Sequence, residues 1–395
     1  MSGSERADVV IVGGAIIGSA IATYLAQRPD FDGRIVVVER DATFRTSSTT
    51  LSAASIRLQF STPLNIRMSQ YGVEFLKSLD RHLAVDGVAP EIDFVENGYL
   101  FLATEAGRPT LERNHAVQRE LDVPVELLSP HELKARFDWM HTDDLAAGSL
   151  GLAGEGWFDA YALLQGFRRK ARSLGVIERV GEVTEVFADG ARVGGVRLAD
   201  GSEIAADWVI NAAGPRAASV AAMAGVELPV VPRKRNVYHL ESPVSLGAAP
   251  LTIDPSGVYF RPEGPAYVSG WSPREGEPDP DTLDLTADRA PFESLVWPTL
   301  AHRVPAFDQL RLLDAWAGHY EVNTLDHNAI VGPHPRLQHF ILANGFSGHG
   351  LQQAPAVGRG VAEWIATGRY EALDLSPLGY ERIERGEPIR ELSVI

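Results

Sequence analysis

The sequence predicts an α/β fold in which a parallel strand–helix–strand unit is joined to a mostly antiparallel β-sheet. Three observations predict it: a glycine-rich turn between two β-branched runs at 8–40, a second glycine turn opening a helix at 345–352, and a series of short β runs broken by proline and glycine after 230. Strands alternating with helical stretches give a parallel sheet; short runs with turn residues between them give an antiparallel one. With 395 residues the chain can bury a large core, and two domains are expected.

The first unit is the most informative. An apolar strand at 9–12 runs into Gly13-Gly14-Ala15-Ile16-Ile17-Gly18, an uncharged helix follows over 16–27, and a second strand over 35–38 ends in Glu39-Arg40. This is the order of a Rossmann-like, dinucleotide-binding βαβ unit. Gly13 allows the tight turn, Gly18 lets helix and strand approach, and the helix start offers free N–H groups to a pyrophosphate. Ala15 replaces the middle glycine of the usual pattern. Glu39, 21 residues after Gly18, is placed to accept ribose hydroxyls and to repel a 2′-phosphate, which favours FAD or NAD over NADP.

Bulk properties exclude several classes. A net charge of −16 opposes nucleic acid as a partner. The absence of cysteine removes disulfides, thiolate metal sites and a cysteine nucleophile. The eleven histidines show no paired metal-ligand spacing, so no metal is expected. The uncharged stretch 9–26 is glycine-rich and lacks a basic flank, so it reads as a core unit, with no transmembrane segment and a cytoplasmic location expected.

Further along, residues 46–55 form a hydroxyl-rich loop, Ser47-Ser48-Thr49-Thr50-Leu51-Ser52 at its centre. Following the second strand, it is expected to lie over the nucleotide. Thr62-Pro63 is read as the cap of a helix whose stripe is Leu64, Met68, Tyr71, Phe75 and Leu79. Asn97-Gly98 within the alternating stretch 94–102 predicts a β-hairpin. Ser129-Pro130-His131-Glu132 is a capping box, and Asp159 caps a helix over 160–173. Strands are expected at 183–187, 193–198 and 204–210, the last ending in Asn211-Ala212-Ala213-Gly214 before a helix near 217–224. Short strands at 236–240, 258–261, 266–270 and 312–318 form the antiparallel part, in which Arg233-Lys234-Arg235 reads as a solvated edge. A strand at 340–343, the turn 344–350 and a helix over 351–367 close the pattern.

These pieces in this order, ending in Gly345-Phe346-Ser347-Gly348-His349-Gly350-Leu351-Gln352, resemble the D-amino acid oxidase / glycine–sarcosine oxidase superfamily of FAD-dependent amine oxidoreductases. The stretches 52–63, 316–335 and 345–355 further resemble the subgroup that contains the mitochondrial FAD-dependent oxidoreductase-domain protein, which is implicated in respiratory-complex assembly. The resemblance implies a Rossmann-like FAD-binding domain (1–90, 151–230 and 326–395) and a mostly antiparallel β-sheet substrate domain (91–150 and 231–325). It implies oxidation of a C–N bond in a small amine or amino acid by an oxidase or dehydrogenase, with O2 or a carrier as electron acceptor. The subgroup also admits a flavin-containing assembly or binding protein with little turnover.

Carried across by position, Gly13 to Gly18, Glu39, Arg40, Ser47 to Ser52, Val183, Ala213, Gly214, Gly345 and Ser347 to Gln352 are expected to touch FAD. The late turn would aim N–H groups at the flavin N1–C2=O edge. Arg57 falls where sarcosine oxidases hold a substrate carboxylate, and Gln352 where they place a second cation. Ser52 and His319 stand at positions where relatives link the flavin through other residue types, so FAD is expected to be non-covalent. No lysine stands near 266–271 to assist oxygen reduction. His319, Tyr320, Tyr259 and His349 complete the expected substrate side.

Overall fold

The structure is a computed structural model that describes residues 5–274 and 276–392. At the centre of its first sheet lies the strand Glu5–Val12, paired in parallel with Glu203–Asn211 on one side and Ile35–Glu39 on the other. Its residues Val9 to Val12 are all buried. A β-branched run of this kind suits a strand covered on both faces. Ile177–Val180 extends the sheet beyond Ile35–Glu39; Phe340–Asn344, parallel, and Ile330–Pro333, antiparallel, extend it beyond Glu203–Asn211.

Helices Ile16–Ala26, Ala160–Ser173 and Gly350–Thr367 bury their apolar stripes in one core, with Ile11, Val37 and Ile341 from the sheet. The other core is closed by Ala217–Met223 and by the antiparallel pair Val183–Ala188 and Val193–Leu198. Three parallel strands therefore end side by side, at Val12, Asn211 and Asn344. Ligand crevices of open α/β sheets form at such carboxyl ends.

The second eight-stranded sheet runs in the spatial order Arg311–Asn323, Val230–Glu241, Ala266–Gly270, Tyr259–Glu263, Leu251–Ile253, Tyr99–Ala103, Ala147–Gly151 and Val125–Leu128. It is antiparallel except where Leu251–Ile253 meets Tyr99–Ala103. Strands of the first sheet come from 5–39, 177–211 and 330–344, those of the second from 99–151 and 230–323. The sheets meet where Val322, near the end of the long strand Arg311–Asn323, bridges Phe346 in the late glycine turn.

Local signals of capping held where the cap was complete. Ser129 and Glu132 form the reciprocal box, and Asp159 accepts the Ala162 N–H at 2.8 Å. Three expectations are corrected. Thr62 does not cap Pro63–Leu76; its hydroxyl donates to Glu391 at 2.7 Å, because the C-terminal segment crosses that helix start. Leu79 belongs to a separate short helix, Leu79–Leu83, and the first helix buries Ile66 and Gly72 more deeply than Leu64 or Tyr71. Asn97-Gly98 closes no hairpin. Val95 bridges Trp157, and after Gly98 (φ 85°) the strand Tyr99–Ala103 pairs instead with Ala147–Gly151 and Leu251–Ile253. Among the described residues, no helix is long and apolar enough to cross a membrane.

Candidate active site

A cleft opens over the three strand ends and runs beneath the second sheet. Its nucleotide-side wall includes Gly13, Ala15, Ile16, Ile17, Glu39 and Arg40. Gly13 has φ 101°, and a Cβ there would overlap the Ala212 carbonyl; a Cβ on Gly18 would overlap the Gly13 carbonyl. The glycines are thus required by backbone crowding. The helix start at Ile16 has no cap from its own N-cap residue, Ala15, and no acid in its first turn. Its free N–H groups and partial positive charge form an anion site.

Glu39 accepts the Gly14 N–H at 2.8 Å through one oxygen and the Asp41 N–H at 2.8 Å through the other. That fixes the carboxylate at the wall, with lone pairs left for hydroxyl donors. From the hydroxyl loop, Ser47, Ser48, Thr49, Leu51 and Ser52 line the cleft. Thr49 Oγ1 accepts the Ile16 N–H at 3.3 Å. Ser48 Oγ is buried without a hydrogen-bond partner, a group left for a polar ligand. Glycine cradle, open helix start and orphaned hydroxyl all fit a dinucleotide.

The second glycine turn is built alike. Gly345 (φ 71°), Ser347 (φ 51°) and Gly348 (φ 96°) take left-handed conformations, and the helix Gly350–Thr367 again starts without a side-chain cap or acid. A Cβ on Gly348 would stand 2.5 Å from the Tyr320 ring. Gly348, Gly350 and Leu351 line the cleft; so does Glu321, whose carboxylate accepts the Gly345 N–H at 3.2 Å. Burial pushes the Glu321 carboxyl up to about 8.

The late turn also brings His349 to Arg57. The Arg57 guanidinium lies 3.0 Å from His349 Nε2 and over the rings of Phe60 (4.5 Å) and Phe101 (5.2 Å). Burial, then the Arg57 charge, lowers His349 to about 3, so its imidazole is neutral and Nε2 accepts from the guanidinium. Gln352 turns away from the cleft and accepts the Arg57 backbone N–H at 2.7 Å. Below this lies Glu155, fully buried, which accepts from Leu58 N (2.6 Å), Gln59 N (3.1 Å) and Gln59 Nε2 (2.9 Å). It fixes the bend that presents Arg57. Burial raises Glu155 to about 7.

Tyr259, Tyr320 and His319 line the cleft from the second sheet. Burial raises Tyr259 above the ordinary phenol range, with the neighbouring Tyr320 adding to it. His319 Nε2 is buried without a partner, and burial holds that imidazole below its usual range.

Of the expected residues, Gly14, Gly18, Thr50, Gly345, Ser347, His349 and Gln352 shape or back the wall and do not line it; Val183, Ala213 and Gly214 do line it. Arg57 also stands behind the lining, at His349. Sequence reasoning missed Glu321 and Glu155, single acids without a motif around them. It also misread Arg233-Lys234-Arg235. These residues are not a solvated edge: Arg233 pairs with Asp281 (2.9 Å), Lys234 with Asp284 (2.9 Å) and Arg235 with Asp279 (2.8 Å). The pairs tie down a segment that carries Leu283 and Leu285 to the cleft. The alternation of acids and leucines at 279–285 was the available signal.

Outside the cleft lining, His141, Asp144 and His302 come within ligand distance of one another. Arg303 holds both Asp144 oxygens, at 2.9 and 2.8 Å, so the carboxylate is already engaged by a cation.

The family of FAD dependent oxidoreductases matches residues 8–364. The chain belongs to that family. Its cofactor is FAD. The chain is 44% identical to FAD-dependent oxidoreductase domain-containing protein 1 of Xenopus laevis, covering 99% of this chain and 85% of that protein. It is 28% identical to glycine oxidase of Geobacillus kaustophilus, over 96% and 98% of the two chains. The crystal structure of L-proline dehydrogenase from P. horikoshii superposes with a TM-score of 0.86 at 28% identity, covering 98% of this chain and all of that one. As a member of the family, the chain is an FAD-dependent oxidoreductase.

Proposed function

We propose that this chain oxidises the C–N bond of a small amine or amino acid of the sarcosine, glycine, D-amino acid or opine kind, with FAD held non-covalently. The observation that carries the reading is the convergence at one glycine turn of a guanidinium, Arg57, and a neutral imidazole, His349, directly behind the cleft wall that Tyr259 and Tyr320 line. When bound, FAD supplies the hydride acceptor, flavin N5. Arg57 holds the substrate carboxylate by charge-assisted hydrogen bonds. His349, accepting from the guanidinium, keeps it aimed. Tyr259 and Tyr320, which line the cleft, exclude water and orient the amine, and Tyr99, whose hydroxyl donates to Ser55, stands outside the lining. Burial raises Tyr99 to about 12, so its proton stays in place.

One cation, with the neutral Gln352 occupied by the Arg57 backbone, favours a single carboxylate on the substrate. No lysine stands on the strand Ala266–Gly270, and Ser269 there donates to the Tyr259 carbonyl at 2.6 Å. That supports a dehydrogenase passing electrons to a carrier over an oxidase using O2. Anaerobic titration of the purified protein with glycine, sarcosine, dimethylglycine, proline, D-amino acids and N-substituted amino acids tests the reading. At least one should bleach the visible flavin band. A flavin that none of them reduces, with a stable protein partner recovered, would favour an assembly role instead.

A further inference from the structure

The two glycine turns differ in what their acids leave unresolved. Glu321 hydrogen-bonds the late turn yet holds no part of the substrate. It lines the cleft beside Tyr320 and takes the Gly345 N–H at 3.2 Å. Its own backbone carbonyl accepts the Ser347 N–H at 3.0 Å. The residue is therefore locked to the turn whose remaining N–H groups open onto the cleft.

No countercharge answers it. On its own strand the neighbouring titratable groups are His319 and Tyr320; on the paired strand Arg233 follows Pro232, its register partner, and Lys234, held by Asp284, and Arg235 stand opposite His319 and Gly318, while Arg216 lines the same cleft without an ion pair to Glu321. Arg233 and Arg235 are paired with Asp281 and Asp279. In the turn, His349 is neutral and directed at Arg57. Among the described residues Glu321 makes no ion pair. An anionic carboxylate here and a second negative charge arriving in the cleft would compete for one set of donors, and like charges raise each other's affinity for protons.

We propose that Glu321 is the proton-holding residue of the cleft, binding one proton from solvent when electrons enter the bound cofactor. This rests on the cofactor lying against the late turn. The balance is simple: the reductant supplies the electrons, water supplies the proton, and the proton forms an O–H bond at a Glu321 carboxyl oxygen. No carbon bond of the protein changes. Because burial already raises this carboxyl to about 8, the acid is mostly neutral before reduction at pH 6 and mostly ionised at pH 9. The extra proton is thus taken up at the higher pH and not at the lower.

The test is reduction of the FAD-loaded protein by dithionite in weak buffer with an indicator dye, counting protons taken up per two electrons. At pH 9 the wild type should take up about one proton more than Glu321→Gln, and at pH 6 the two should agree. Glu321→Asp, which keeps a carboxyl, should retain most of the difference. Infrared difference spectra of the wild type at pH 9 give a readout without any variant: a protonated-carboxyl band should appear on reduction and shift in D2O. Equal proton counts in wild type and Glu321→Gln at pH 9, with FAD fully bound in both, or no such band, would overturn the proposal. A chain that takes up no FAD would instead overturn the reading of the cleft itself.

Discussion

The turns at Gly13 and Gly345 are two versions of one device. Each follows the end of a parallel strand, opens a helix that its own N-cap residue leaves uncapped and without acid in its first turn, and has a glutamate accepting a turn N–H. They differ in where the glutamate comes from. Glu39 ends the next strand of the same sheet, at the rim of the cleft; Glu321 comes from the second sheet and stands half-buried against the turn. The first turn is complete within its own βαβ unit. The second is complete only when the two sheets meet. The first is therefore expected to grip the cofactor, and the second to couple it to the substrate side.

The largest effect that sharpens this contrast is expected from Gly18→Val. Its side chain would collide with the Gly13 carbonyl, so the purified variant should retain circular dichroism but carry almost no FAD by visible absorbance. Retention of full FAD would break the assignment of the first turn. Next is Arg57→Ala. Loss of a hydrogen bond to a charged group costs about 1.5–3 kcal/mol, roughly 10- to 150-fold in affinity. That loss should appear in the dissociation constant of a carboxylate-bearing substrate or inhibitor, with FAD content unchanged. Gly348→Ala, strained at φ 96° and pressed on Tyr320, should slow flavin reduction on the order of tenfold while FAD stays bound.

A smaller effect separates the buried acids by pH. Glu155 and Glu321 have folded pKa values of about 7 and about 8, above the ordinary carboxyl value of 4.5. The folded state then holds protons that the unfolded chain releases, so their contribution to stability is full below about pH 4.5 and falls as pH rises through 7 to 8. The melting temperature should decline between pH 5 and pH 8.5, and Glu155→Gln should flatten part of that decline. An unchanged slope in the variant would mean that Glu155 does not titrate in the folded protein. The smallest effect is expected from Thr49→Ala, which removes only a 3.3 Å acceptor from Ile16 N, at about 0.5–1.5 kcal/mol.

The same contrast explains what was legible in the sequence. Gly13 to Gly18, Glu39 and the Asn211–Gly214 strand end lie in local patterns whose spacing is set by one strand, one helix and their turn. The order of strands and helices could therefore be read directly. The proposed substrate side draws on Arg57, Tyr99, Glu155, Tyr259, Tyr320 and His349, which come from separate strands and loops and have no shared period. Glu321 and Glu155 were invisible because a buried acid looks like any exposed one until its neighbours are known. The hairpin expected at Asn97-Gly98 failed for a related reason: Tyr99–Ala103 finds better partners far along the chain. Arg233-Lys234-Arg235 looked solvated because its acidic partners lie about fifty residues later.

Both turns are expected to grip a single, unlinked FAD. The most direct measurement is the flavin content of the purified wild-type chain before and after acid precipitation. About one FAD per chain, all of it released to the supernatant, is the expected result. A folded, colourless chain that takes up no added FAD, or a yellow pellet that keeps its flavin, would contradict it.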